Sequence, residues 1–329
     1  MQGGTKVEKL FAGINETADL LARELDLSYI EAVAETGENM FHEAILQEGL
    51  SEVSERKLNG VYRQLLLAQY SKEEIRKSFQ LAILKGLKEG SSPNHQMTPD
   101  TVGIFMGYLV SRFTEGQNHL TILDPAVGAG NLLTTVLNNL GEREAESVGV
   151  DVDELLIKLA YINANLQKHP VQFFNQDSLQ PLLVDPADII VSDLPVGYYP
   201  NDAGAKAFKL AAEKGHSYSH HLFIEQSLNY AKPGAYLFLV IPNQLFQSQQ
   251  ADSLRAYLKE TAYVQGLLQL PLSMFGSENH GKSIFILQKK GEGIQPPKEA
   301  MLSKLPKFSD AAAMKSITNQ MNTWFTNNK

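Results

Sequence analysis

Apolar positions along the first 90 residues recur at three- and four-residue spacing. Val7, Leu10, Phe11, Ile14, Ala18, Leu21, Ala22 and Leu25 fall on one face of a helix. Ser28 with Glu31, and Ser71 with Glu74, have the spacing of a capping box, so two further helices start there. After Ser71 the stripe returns at Ile75, Phe79, Ala82 and Ile83. These faces predict an all-α helical bundle over residues 1–90, with Gly90-Ser91-Ser92-Pro93-Asn94 as a linker. A helix follows with Thr98 at its N-cap and Pro99 at its first position, carrying the stripe Ile104, Phe105, Tyr108 and Leu109.

From Thr121 the pattern changes to short apolar runs alternating with helices. Runs at Ile122-Leu123, Ser147–Asp151, Val171–Phe174, Asp188–Val191, Ala235–Ile241, Tyr263–Leu270 and Ser283–Lys289 read as strands. Helices are expected from Asn131, over Glu154–Leu166, from His220 to Tyr230 and over Ala251–Lys259. Helical connections make neighbouring strands parallel. The last two strands are joined by a loop with Gly276 and Gly281, too short for a crossover, so that pair should be antiparallel. The expectation is an α/β fold with seven strands, one of them reversed at the edge. After Lys290 come Gly and Pro residues and a short helix from about Ser309, striped by Met314, Ile317, Met321 and Trp324.

The candidate chemistry centres on Thr121–Leu133, TILDPAVGAGNLL. A strand ends in Asp124, and a turn with Gly128 and Gly130 leads into a helix. A dinucleotide fingerprint needs a third small residue where this chain has Leu133. An acid ahead of the turn would repel a pyrophosphate but suits a cationic ligand carrying an amine, such as S-adenosylmethionine (SAM). Asp151 ends the next strand about 20 residues past the glycines, the distance at which an acid reaches a ribose diol. The turn Asn175-Gln176-Asp177-Ser178 stands where an adenine ring would be met, and Ser192-Asp193-Leu194-Pro195 ends the fourth strand. Ligands of open α/β sheets bind outside the carboxyl ends of the strands, so these acids should converge.

Composition narrows the classes. The chain has 329 residues, 43% apolar and 20% charged, enough for a sizeable core in two domains. It has no cysteine, which excludes disulfides, thiolate metal sites and cysteine nucleophiles. Of its eight histidines only His220 and His221 are neighbours, and adjacency is not metal-ligand spacing, so no metal is expected. A net charge of −8 argues against charge-driven, non-specific binding of nucleic acid, though not against a local basic face. With no signal peptide and no apolar run of spanning length, a cytoplasmic protein without a membrane partner is expected.

DPAVGAG, GVD, QDS and SDLP resemble the motif series of class I SAM-dependent methyltransferases. More narrowly, HQMTP (His95–Pro99), then KPGAYLFLVIPNQLF, LRAYL and LPLSMFGSENHGKSIFILQKK, resemble the adenine-N6 methylase subunits of type I restriction-modification systems. Most similar of all are the stand-alone methylase-like proteins of Gram-positive bacteria, the YtxK group. The resemblance covers roughly Gln96–Lys290. It implies a Rossmann-like methyltransferase domain over 91–329 and SAM as cofactor. Gln96 and Thr98 would meet the methionine end, with Pro99 beside them. Asp124, Pro125, Ala126, Gly128, Gly130 and Asn131 would hold the amino-acid end, Asp151 and Val152 the ribose side, and Asp177 and Ser178 the adenine, with Asp193 bordering the cofactor.

The methylases' strand-four pattern is [DNS]-P-P-[FYW]. Its first side chain and the following carbonyl accept the two hydrogens of an amine, and its aromatic stacks on an extruded base. The match here is Asp193, Leu194, Pro195 and Val196. Leu194 in place of Pro should loosen the turn, and Val196 lacks a ring worth about 1–3 kcal/mol of stacking, so Tyr198 or Tyr199 would have to serve. The expected acceptor is DNA adenine. RNA, a protein glutamine amide and a non-catalytic SAM-binding regulator are the alternatives. Asn201–Ser217 reads as a solvated loop, His220 and His221 as capping and packing residues, and Asn243 as a turn residue. With no recognition domain in the remaining 40 or so residues, any sequence specificity falls to the N-terminal helices, a partner protein or a homodimer.

Overall fold

The expected helix starts are present as hydrogen bonds. The computed structural model describes residues 4–90 and 97–328; Gln96 and the linker residues 91–94 lie outside them. The chain opens with α1 (Lys6–Leu25), α2 (Tyr29–His42), α3 (Glu52–Tyr62) and α4 (Lys72–Glu89). Ser28 and Ser71 close capping boxes with Glu31 and Glu74 at α2 and α4. Thr5 and Glu8 make a third at α1. Each box satisfies two backbone N–H groups that a helix end leaves orphaned. Helix α5 (Asp100–Phe113) starts one residue later than expected, with the Pro99 carbonyl accepting from Val102 and Gly103.

The chain divides into two compact units. The first comprises residues up to Gly107, Val127–Gly141 and Asp151–Asn175. It holds α1–α4 with α6 (Asn131–Asn139), α7 (Glu154–Leu166) and β3 (Val171–Asn175). Its core is one cluster: Leu10, Ile14, Leu21, Val33, Phe79 and Ile83 of the early helices are packed with Leu159 and Ile162 of α7. Burying each such side chain contributes about 1.5–3 kcal/mol. Gly37 lets α2 approach α7, since a Cβ there would lie 2.4 Å from Ile162.

The second unit comprises Tyr108–Ala126, Glu142–Val150 and the chain from Gln176. Its strands are β1 (His119–Asp124), β2 (Glu144–Asp151, up to Val150), β4 (Ala187–Asp193), β5 (Ala231–Pro242), β6 (Ala262–Gln269), β7 (Lys282–Lys289) and β8 (Met301–Lys304). They stand in the order β2-β1-β4-β5-β7-β6-β8. Pairing is parallel from β2 to β5, and β7 runs antiparallel to both β5 and β6, as the short loop required. Helices α8 (Asp202–Ala205), α9 (Ser219–Asn229), α10 (Ala251–Thr261) and α11 (Ala311–Asn328) complete it.

Among the described residues the strand count is eight rather than seven. The extra strand, β8, pairs in parallel with Gly266–Gln269, and the reversed β7 lies between β5 and β6 through its own ladders to both. Four residues with Leu302 71% exposed carry too little pattern to announce a strand; the ladder to β6 makes it one. β5 begins at Ala231, four residues ahead of the expected Ala235, because an irregularity opposite Ala187–Ile189 absorbs the left-handed Gly234. Among the described residues no helix is long and apolar enough to cross a membrane.

Candidate functional site

In the first unit the glycine turn and the acid of the second strand are bonded directly. Asp151 Oδ2 accepts the Gly128 N–H at 2.8 Å, and Oδ1 accepts the Asp153 N–H at 3.0 Å. Burial raises the Asp151 carboxyl above its usual value, and these N–H bonds only partly oppose that. A carboxylate can accept about four hydrogen bonds, so two such bonds leave room for hydroxyl donors. The Asn175 amide steadies this strand end through the Asp151 and Val152 carbonyls, while Val152 is 72% exposed.

The two glycines differ. Gly128 has φ +52°, and a Cβ there would meet nothing within 4 Å. Gly130 has φ +76°, and its Cβ would lie 3.1 Å from Ala160 of α7. Gly130 therefore serves close helix packing, whereas Gly128 borders open space. Leu133, where a dinucleotide fingerprint has a small residue, is fully buried.

Asn131, the first residue of α6, donates through its amide to the Thr98 carbonyl at 3.2 Å and accepts from Arg76 at 2.6 Å. Arg76 has no exposure; it also bonds both Glu73 oxygens, Gln80 and Asp100. Sequence reading missed it, although a charge three residues ahead of Phe79 and seven ahead of Ile83 sits on the apolar face of α4. Arg76 thus ties the early helices to the start of α5 and to the helix after the glycine turn. Gln96 lies outside the described residues.

In the second unit Asp124 is buried at the end of β1. Its Oδ1 accepts from the Ala126 N–H at 3.1 Å and from the Ser192 hydroxyl at 2.9 Å, which brings the ends of β1 and β4 together. Ser178 donates to the Pro125 carbonyl, and Gln226 holds the same turn through the Ser178 and Gln180 carbonyls. Asp177 accepts from the Leu179 N–H and the Tyr199 hydroxyl. Burial and the Asp177 hydrogen bond push the Tyr199 hydroxyl pKa up. Tyr199 is therefore a tether for Asp177, not a platform that swings in.

At the end of β4, Asp193 Oδ1 lies 2.7 Å from Lys282 Nζ. Lys282, the first residue of β7, was missed; its one signal was a base just ahead of the apolar run Ile284–Leu287. Leu194 donates its N–H to the Val240 carbonyl at 3.1 Å and buries its side chain. The turn is not loosened: a ladder bond, which proline could not make, replaces the rigid ring. Pro195 follows directly, and Val196 is 57% exposed. Tyr198, 59% exposed, stacks on Tyr218 with ring centroids 4.9 Å apart. Asn243 accepts from Ser283 and donates its N–H to the Gly281 carbonyl, the expected turn role.

Two expectations need correction. The segment Asn201–Ser217 is not a solvated excursion: buried Glu225 accepts the Lys209 and Leu210 N–H groups, and Ala205, Phe208 and Leu210 are buried. An internal carboxylate offers this loop two charge-assisted bonds that no local pattern shows. His220 and His221 pack but do not cap, since α9 has Tyr218 at its N-cap and no side-chain cap bond. Burial lowers their pKa values to about 3 and about 4, which keeps both neutral.

Family comparison agrees with this arrangement. The model for the N-6 DNA methylase family matches residues 85–320, and that for the YtxK N-terminal helical domain matches residues 8–87. The uncharacterized YtxK protein of Bacillus subtilis is 50% identical over 317 residues, 96% of either chain. A Listeria monocytogenes protein provisionally assigned as a class I SAM-dependent methyltransferase has a solved structure that superposes with TM-score 0.91. It is 43% identical and covers 97% of this chain and 99% of its own. The methyltransferase subunit of a type I restriction-modification system from Streptococcus thermophilus shares the fold, with TM-score 0.67 at 15% identity over 95% of this chain and 74% of that one.

Proposed function

The chain belongs to the N-6 DNA methylase family, and from that premise we propose that it binds SAM and methylates an exocyclic amine, adenine in DNA being the acceptor. The observation that carries the reading is the left-handed Gly128 turn, open where a side chain would stand and bonded to the buried Asp151 carboxylate. The residues present fit such a cofactor. Gly128 leaves a cradle that a Cβ would fill, and Asp151 keeps acceptor capacity for a ribose diol. Asp124, Pro125, Ala126, Gly130 and Asn131, with Gln96 and Thr98, would serve the methionine end. Val152, Asp177 and Ser178 would serve the adenosine side.

When bound, SAM would supply an electrophilic methyl group on a positively charged sulfur, with the thioether as leaving group and one amine proton passing to solvent. Asp193 and the Leu194 carbonyl would accept the amine hydrogens, and Pro195 would shape the turn. Tyr198 would offer the stacking face that Val196 lacks. Residues 1–90 then form a helical module and 91–329 the catalytic one, a division that the two family matches support.

Calorimetry with SAM, then a methyl-transfer screen on DNA, RNA and protein extracts, tests the reading. Transfer to DNA that vanishes in Asp193→Ala is expected. Transfer to RNA or to a glutamine amide would move the acceptor. The exposed Val196 in the place of an aromatic favours a second reading, a SAM-binding regulator, and binding without transfer to anything would select it.

A further inference from the structure

The ring of Tyr198 rests on a second ring. Past the end of β4 the chain turns at Gly197, whose φ of +140° favours glycine, and Tyr198 then forms an isolated antiparallel bridge with Tyr218, the residue ahead of α9. On either side of that bridge the Tyr199 N–H donates to the Ser217 carbonyl and the Ser219 N–H to the Gly197 carbonyl, each at 2.9 Å. Tyr198 and Tyr218 are therefore a non-hydrogen-bonded pair, the kind whose side chains stand closest on one face. The rings accordingly stack, 17° from parallel with centroids 4.9 Å apart.

Support comes from the buried side. The Tyr218 ring meets buried His220 and His221 with centroids 5.1 and 5.4 Å away, and the Tyr218 carbonyl accepts the His221 and Leu222 N–H groups. A hydrogen bond with Tyr198, then burial, raise the Tyr218 hydroxyl above its usual pKa, so the supporting ring stays neutral at physiological pH. Tyr198 lies one layer further out. It touches His216 at a tilt and stays 59% exposed although Tyr218 covers one of its faces.

We propose that Tyr218 is a positioning residue for the methyl acceptor: it holds the Tyr198 ring so that the outer face of Tyr198 takes an unpaired nucleobase as the next layer of the stack. The inference rests on the stacking role given to Tyr198 above. The methylases' pattern sets its aromatic directly after a rigid Pro-Pro turn. Here the ring comes two residues later and beyond a glycine, where it would otherwise be ordered only at the moment of binding. A ring already held in place removes most of that cost.

The probe is a single-stranded oligodeoxynucleotide carrying one 2-aminopurine, whose fluorescence is quenched on stacking and whose bases need no extrusion from a duplex. It is titrated in the presence of S-adenosylhomocysteine. Tyr198→Ala and Tyr218→Leu should each weaken binding about fivefold or more and relieve the quenching. Tyr218→Phe, which keeps the ring, should recover most of that loss. In the Tyr198→Ala background Tyr218→Leu should cost nothing further, because it acts through a ring already gone. Thermal unfolding checks each variant; should Tyr218→Leu prove unstable, Tyr218→Met takes its place with the same expectations. An unchanged affinity in Tyr218→Leu, a further loss in the double variant, a Tyr218→Phe no better than Tyr218→Leu, or a wild type that does not quench the probe would overturn the proposal. SAM affinity is measured alongside: its absence in the wild type would sink the methyltransferase reading, whereas normal SAM binding with additive losses would sink only the role of Tyr218.

Discussion

Arg76 and Lys282 are both cations set against carboxylates, and they are satisfied to different degrees. Arg76 is fully buried and spreads five hydrogen bonds over Glu73, Gln80, Asp100 and Asn131. Burial works against its charge, yet the Glu73 and Asp100 carboxylates outweigh that and hold the guanidinium pKa above its usual value. Lys282 is partly open to water and meets Asp193 through one short contact. A guanidinium with every donor used has nothing left for a ligand and acts as a joint. The number of donors engaged, more than charge, separates the guanidinium that joins several elements from the ammonium that meets one carboxylate.

The comparison can be broken most severely at Arg76. Replacing it by Met should cost about 3–5 kcal/mol in urea unfolding, because it removes the buried cation shared by two carboxylates and two amides. A loss no larger than that of Lys282→Gln, for which about 1.5–3 kcal/mol is expected, would erase the distinction.

Acid sharpens it. Burial alone would raise the Glu73 carboxyl, but the Arg76 hydrogen bond and charge prevail and hold it below 4.5. Its folded value lies under its unfolded one, so the stabilisation is present in full above that pH and is lost as pH falls through the folded value. Urea midpoints measured across this acid range should decline in the wild type, more gently in Arg76→Met, and as in the wild type in Lys282→Gln.

The glycines give a smaller contrast of the same kind. Gly130→Ala should lose about 1–2 kcal/mol of stability, from its left-handed φ and the nearness of Ala160. Gly128→Ala should lose less stability and more SAM affinity, since only open space surrounds it. The least expected change in stability, about 0.5 kcal/mol or less, belongs to exposed Tyr198→Ala. If Tyr198 is the stacking face, this variant should instead weaken binding of a nucleobase by about 1–3 kcal/mol.

The features legible in the sequence are those whose partners are close along the chain or repeat with a period. The Ser28 and Ser71 boxes bond three residues ahead, and the glycine turn and Asp151 are separated by one strand connection. The antiparallel β6–β7 pair followed from the length of a loop. Lys282 and Asp193 are 89 positions apart, and Arg76 and Asn131 are 55. No spacing rule joins such residues. Tyr199 illustrates the limit: as an aromatic after the fourth strand it read as a stacking ring, and its hydroxyl is occupied by Asp177. Glu225 lies inside the expected helix from His220 to Tyr230 with nothing in its spacing to mark it, and it anchors the loop at Lys209 and Leu210.

Periodicity, caps and strand-end acids on their own determined that this chain makes a helical module and an α/β sheet with a glycine turn after its first strand. Such signals record local backbone preference and the sidedness of burial, and both are written along the chain. The tertiary structure alone decided that β8 joins the sheet, that Arg76 saturates its surroundings and that Asp193 faces Lys282. Those outcomes depend on which desolvated charges and unpaired backbone edges meet once the chain has closed on itself, and the energy of that meeting is a property of the pair rather than of either residue.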